Sequence, residues 1–204
     1  MFKKIASDAL GLSDIGRIIS KEDFDKAQSD DFVLTEDGEK IHFLIKSKTD
    51  EYCFTNRALI HLDGEKASSS KRNIYRYDYY KNAIKNVSIE TAGTIDLDLE
   101  IKFEMGGKYF SVDIAKDEGE AIADLYKSLV AIGHIQEENE RQQEFAKNSV
   151  NTASGLIKDN RFHDNDISQE FEQAVNFAYS WFSNKYQEHT QKDFKDVFEK
   201  YIHN

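Results

Sequence analysis

The chain has 204 residues, 39% of them hydrophobic and 32% charged, enough for one large domain or a small domain with an extension. Its 38 acidic residues outnumber 27 lysines and arginines, and the resulting formal charge of −11 disfavours a dedicated nucleic-acid binder, whose affinity rests on neutralising phosphates. Cys53 is the only cysteine, which excludes an intrachain disulfide and any cysteine-based metal cluster within one chain. No stretch approaches the roughly 18 apolar residues that span a bilayer, so the expectation is a soluble cytoplasmic protein without a signal segment.

Residues 1–36 read as two short helices, with Ser20 and Asp23 spaced as a capping box and acids near the helix start. Strand character begins after the acidic run at 29–31. Ile41, Phe43 and Ile45 alternate with more polar neighbours, and the segment SKTDE turns the chain. EYCF and NRALIHL follow as two short strands meeting around Thr55 and Asn56. Asp63-Gly64 opens a polar loop running through Ser70. Residues 73–80 form a strand with Tyr75, Tyr77 and Tyr79 on one face, and 84–91 continue with Val87 and Ile89.

The clearest alternation in the chain is IDLDLEIKFE at 95–104. Ile95, Leu97, Leu99, Ile101 and Phe103 share one face, and a period of two over ten residues marks a strand with one dry side. Met105-Gly106-Gly107 turns it into a last strand with Phe110, Val112 and Ile114 inward. Seven strands joined by short turns must be antiparallel neighbours.

A helix follows. Asp117 and Glu120 are spaced as N-cap and N3, and Ile122, Leu125, Leu129, Ile132 and Ile135 make a stripe wide enough to cover a sheet face. The pattern predicts about 20 residues of helix, or about 30 Å. QEENERQQ then reads as a weak helix or a linker, with Gly155 and residues 158–160 as a break. Asp166 and Gln169 are spaced to start a further helix carrying Phe171, Ala174, Val175, Ala178 and Phe182. Thr190 and Asp193 are placed to cap a last one with Phe194, Val197, Phe198, Tyr201 and Ile202 at helical spacing. The chain contains no proline, which suits long uninterrupted helices.

Strands closed by one helix is the order of a pleckstrin-homology (PH) domain, and particular segments narrow the likeness. YCFTNRALIHLDG at 52–64, ETAGTIDLDLEIKF at 90–103 and KDEGEAIADLYKSL at 116–129 resemble the bacterial PH family, YvbH-like, over roughly residues 5–133. FEQAVNFAYSWF at 171–182 is similar to the oligomerisation region that follows the domain in that group. The resemblance implies an α+β fold, a PH-like seven-stranded antiparallel barrel capped by a C-terminal helix and followed by an all-α extension. The expected boundaries are 1–36 for an N-terminal helical segment packing on the PH domain, 37–136 for barrel plus capping helix, and 137–204 for the oligomerisation region. It implies a non-enzymatic module that self-associates, as a ring-like homo-oligomer with a pentamer as one stoichiometry. A protein partner is also expected, and no cofactor. Fold-level analogy supplies no ligand.

Two sets of residues are candidates for binding. Between Lys66 and Lys85 stand Lys71, Arg72, Arg76 and Lys81, interleaved with tyrosines. Such a cluster in an acidic chain suits anionic lipid headgroups, the alternative partner, although a solvated loop and an outer strand face are the more usual explanation of scattered exposed charge. The first hairpin offers Lys46, Lys48 and Arg57 but also Asp50 and Glu51, an incomplete phosphoinositide pattern. In the tail, Phe171, Phe182, Phe194 and Phe198 suit a helix-hairpin core. Phe177 and Trp181 fall off that stripe, which leaves the helix apolar on two sides and makes all six candidates for subunit contact. Asp159, His163, Asp164 and Asp166 lack the glycine and closing glutamate of a calcium loop, and no histidine pair has ligand spacing. Cys53, with no strongly basic neighbours, reads as a buried structural thiol.

Overall fold

The computed structural model describes residues 14–64, 72–91, 98–159 and 167–203, with the side chains of 153, 155–159 and 167–171 outside that description. Eight antiparallel strands lie in two sheets among the described residues. The first sheet runs in order β1 (Arg17–Ile18), β2 (Ile41–Lys46), β3 (Glu51–Thr55), β4 (Ala58–Asp63) and β5 (Asn73–Asp78). The second holds β6 (Ile84–Thr91), β7 (Asp98–Met105) and β8 (Lys108–Ala115) in sequence order. The seven expected strands are all present, and the two-residue β1 is an addition, pairing Arg17 with Lys46 and Ile18 with Ile45.

Alternation in β7 puts Ile101 and Phe103 fully inside, while Ile95 and Leu97 lie outside the described residues. Phe103 stacks on Phe110 of β8 at 4.8 Å between ring centroids and reaches Phe54 of β3 at 6.2 Å, so aromatic rings join the two sheets. Gly106 and Gly107 have φ of 61° and 75°, the paired positive values that a two-residue hairpin needs to match strand twist. One seam is closed by two backbone hydrogen bonds. The Gly16 amide donates to Asp113 O of β8 and Gly16 O accepts from Ala115, while the next two residues pair with β2.

β3 and β4 do not alternate: nearly every residue in them is buried. The cause is the N-terminal segment, which covers the outer face of their sheet. Ala27 and Val33 close over Leu44, Cys53, Ile60 and Leu62, with Ile19, Phe24, Phe32 and Ile41 at the margin. This segment is not the expected pair of helices. It is β1 followed by 3-10 turns at Lys21–Lys26, Ser29–Phe32 and Thr35–Asp37, interrupted by extended Ala27 and Val33. Its apolar residues fall at irregular spacing, so no helical phase would put them all on the sheet. Ser20 bonds Asp23 side chain to side chain and caps nothing.

The closing helix departs from expectation in length. After a 3-10 turn at Lys116–Glu118, α1 runs Gly119–Asp159 without a break, 41 residues and about 60 Å. Ile122, Leu125, Leu129 and Ile132 are fully buried, so its first half carries the expected stripe. The polar QEENERQQ continues as helix, consistent with its strong helix formers and the absence of proline. Asp117 is no cap either: both its carboxylate oxygens lie 2.7 Å from Nη1 of Arg17. α2 spans Ile167–Glu188 and α3 spans Lys195–Tyr201, while Asp166 lies outside the described residues.

The chain divides into two compact units. One is Met1–His134 with Lys192–Asn204, and the other is Ile135–Gln191. The last residues therefore group with the barrel and not with the helical extension expected at 137–204. No described helix is long and apolar enough to cross a membrane.

Candidate functional site

The basic residues do not converge. Arg76 projects from β5 into a bidentate pair with Glu39, at 3.0 and 3.1 Å, and its Nε donates to Asp78 at 2.7 Å. Glu39 is a fully buried carboxylate that also accepts from Thr55 Oγ1 and, at 2.8 Å, from the Leu34 amide. Burial works to lower the Arg76 pKa, but the bonds to Glu39 and Asp78 outweigh it and hold the group above its ordinary value. Lys81 sits 3.5 Å from Asp78 and beside the Tyr80 ring. Arg72 lies against Gly64 and is one of the groups acting on Asp50. Lys85 is exposed on β6, opposite Glu104. Lys71 lies outside the described residues. In the first hairpin, Lys46 is buried in an ion pair with Glu51, whose other oxygen accepts from the Ser29 amide at 2.9 Å.

A polar cluster that the sequence did not reveal lies on the inner face of the first sheet. His61 Nε2 is 3.2 Å from Asp50, its Nδ1 is 3.4 Å from Lys108 Nζ, and its ring stacks on Tyr52 at 4.5 Å. Burial works to raise the Asp50 carboxyl, yet hydrogen bonds from His61 and Thr49, with the Arg72 charge, hold it below the usual carboxylate range. Asp50 and Lys108 lie 11 and 47 positions from His61 in sequence; the β2–β3 turn supplies the first, and the packing of the second sheet on the first supplies the other. Cys53 is buried as expected, and burial pushes its thiol pKa up.

The six aromatic candidates separate into two groups. Phe194 and Phe198 are fully buried inside the barrel unit. Phe194 meets Tyr79 edge to face at 5.6 Å, and Phe198 stacks on His42 of β2 at 5.2 Å. The Phe194 amide donates to Asn56 O at 2.7 Å, and Asn56 Nδ2 donates to Asp193 at 2.6 Å. Asp193 also accepts from the Lys195 amide at 2.9 Å, but the N-cap position of α3 is Phe194, and Thr190 caps nothing: its Oγ1 accepts from Gln143 at 3.0 Å. As they stand, these two phenylalanines have no free surface to offer. Tyr79 falls beyond the end of β5, under α3, and not in the tyrosine row with Tyr75 and Tyr77.

The other group is on the helical unit. Phe177 is 69% exposed, and Tyr179, Val175 and Tyr186 are 75%, 49% and 51% exposed. Trp181 and Phe182 are half-buried and meet edge to face at 5.7 Å. The side chain of Phe171 is outside the described residues. Val175, Tyr179, Phe182 and Tyr186 recur at spacings of four, three and four, the seam of a helix that packs on another. Phe177 and Trp181 form a second stripe on the opposite side. α1 contributes exposed Phe145, and between α1 and α2 lies a groove of about 720 Å³ lined by Gln143, Ala146, Lys147, Phe182, Lys185 and Tyr186.

Comparison with known proteins places one module boundary near residue 135, as the structure does, but assigns the last residues to the second module. Residues 9–132 match the family described as Bacterial PH domain, and residues 144–204 match the YvbH-like oligomerisation region. The uncharacterized protein YvbH of Bacillus subtilis (strain 168) is 50% identical over 204 residues, the full length of both chains. YozO from the same organism is 32% identical over 84 residues, 41% of this chain and 71% of its own length. The crystal structure of a PH domain containing bacterial protein from Exiguobacterium sibiricum 255-15 superposes with a TM-score of 0.84 at 50% identity, covering 92% of this chain and 99% of that one. The chain is a member of the bacterial PH domain family. It carries the YvbH-like oligomerisation region behind its PH fold, and that region implies self-association.

Proposed function

We propose that the protein is a non-enzymatic, self-assembling scaffold that displays its PH barrels in a closed homo-oligomer and so presents a repeated surface to a protein partner. The observation that carries this reading is the exposed aromatic set of α2, Phe177 and Tyr179 above all, inside the segment matching the oligomerisation region. Large apolar side chains at this exposure on two sides of one helix seek a second protein surface. A chain that uses different patches on each neighbour closes into a ring when the rotation per subunit allows it. We read the protein as cytoplasmic, with support from its lone unpaired cysteine.

Multi-angle light scattering across a concentration series tests the proposal. A discrete mass at several times the 23.6 kDa chain is expected, and a strict monomer at high concentration would overturn it. The lipid-binding alternative has less support, because Arg76 is engaged by Glu39 and Asp78.

A further inference from the structure

The groove that holds α3 and the segment that fills it belong to different modules of the chain. His42, Asn56, Arg57 and Tyr79 line the groove and fall inside the PH match, which ends at residue 132. Asp193, Phe194 and Phe198 fill it and fall inside the oligomerisation match at 144–204. Between the two modules the chain makes the separate helical unit Ile135–Gln191.

The contact is self-contained. Two buried phenylalanines, the Asn56–Asp193 hydrogen bond, the Phe194 amide on Asn56 O and the Arg57–Asp193 pair at 3.6 Å all come from residues 193–198. Residues 190–192, which lead into the docked segment, adopt no regular secondary structure, so a change of chain path there leaves the contacts of 193–198 intact. Nothing in these contacts depends on which copy supplies them, because an exchanged segment repeats them group for group. Exchange of an identical element is a low-cost route to association. Once copies are held side by side, the neighbour's segment is present at an effective concentration on the order of millimolar.

Within one chain, Phe194 and Phe198 are fully buried and add nothing to assembly. Exchanged, the same side chains tie each barrel to its neighbour, which accounts for their place in an oligomerisation region. We propose that in the assembled protein the groove between His42, Asn56 and Tyr79 receives residues 192–203 of a second copy of this chain. The proposal rests on the self-association reading above.

The test uses the full chain carrying Arg57→Cys and Asp193→Cys, two positions whose side chains reach solvent, treated with a short bismaleimide under native conditions. Cys53 stays in place because it is buried. If light scattering shows an oligomer and denaturing gels show covalent dimers and higher species as the major product, the exchange is supported. If the oligomer yields only monomers carrying an internal 57–193 link, the exchange is overturned while self-association stands. A monomer by light scattering overturns both. The pair Tyr80→Cys with Lys192→Cys, whose side chains also meet at the surface, guards against a first variant that folds poorly, and a folded oligomer that cross-links at neither pair also overturns the exchange.

Discussion

His42 shows how one side chain sets the response of a seam to acid. Its Nε2 is buried without a hydrogen-bond partner among the described residues, and its ring lies flat on Phe198. Burial lowers its pKa below the ordinary value. Glu199 and Asp193 pull it up, and Lys21 and Lys195 push it down, but burial decides the direction. The unfolded chain therefore takes up this proton first as pH falls below about 6.5, and stability falls with it until the folded form also titrates. Thermal melts between pH 7.5 and 5.5 should show a loss of stability that a His42→Phe variant does not share. Equal pH slopes in the two proteins would remove His42 as the cause. Glu39→Gln should cost about 3 kcal/mol in chemical denaturation, at the lower end of the range for breaking a buried pair because part of Arg76 remains in water. A loss under 1 kcal/mol would mean that Arg76 and Thr55 re-pair without the charge. Of these residue-level features, the fate of Cys53 could be read from its neighbours in sequence, whereas the partner of Arg76 could not. Glu39 is 37 residues away and looks like any surface acid until the fold buries it.

At the scale of elements, hydrophobic period fixed type far better than length. The strands of the second sheet follow from their alternation and turn residues, β3 and β4 from short apolar runs between turns, and the buried half of α1 from Ile122, Leu125, Leu129 and Ile132. The N-terminal turns escaped because irregular apolar spacing suits several local structures, and only the sheet beneath selects among them. The second half of α1 escaped because a polar helix has no stripe to announce it. Two substitutions probe the helices. A Cβ at Gly133 would lie 2.8 Å from the backbone oxygen of Ile84, so Gly133→Ala should destabilise the barrel, although alanine would raise stability by about 1 kcal/mol in an open helix. A gain in melting temperature would show that α1 moves freely away from β6. Phe177→Ser removes an exposed side chain, so it should leave the melting temperature within about 2 °C while lowering the oligomer mass at a given concentration. An unchanged mass would take Phe177 out of the interface.

For the molecule as a whole, the sequence made legible the order of modules but not where each ends. The change in composition after His134 is real, yet a single helix runs through it, and the last residues return to the barrel. That return rests on long-range contacts such as Asn56 with Asp193, 137 residues apart, which no local pattern encodes. The aromatic tail was recognisable as a set with surplus apolar surface. Its division into a buried pair and an exposed group required the groove to be known. Residues 192–203 should make a separable contribution: Phe198→Ala should cost about 3–5 kcal/mol, the usual penalty for emptying a fully buried phenylalanine site. Urea denaturation followed by circular dichroism reads this directly, and a loss below 1 kcal/mol would mean that the segment only rests on the barrel.

The backbone seam at Gly16 has a kinetic consequence. Its partners, Asp113 and Ala115 on one side and the β2 strand on the other, come from opposite ends of the PH fold. The connection cannot form until β8 has been made and docked, so loop-closure entropy places it late in folding. A late closure held by so few bonds is also a natural point of first opening. Amide protons at Gly16 and Ala115 should therefore exchange with deuterium at a common rate, faster than those of Ile101 and Phe103 in the centre of the second sheet.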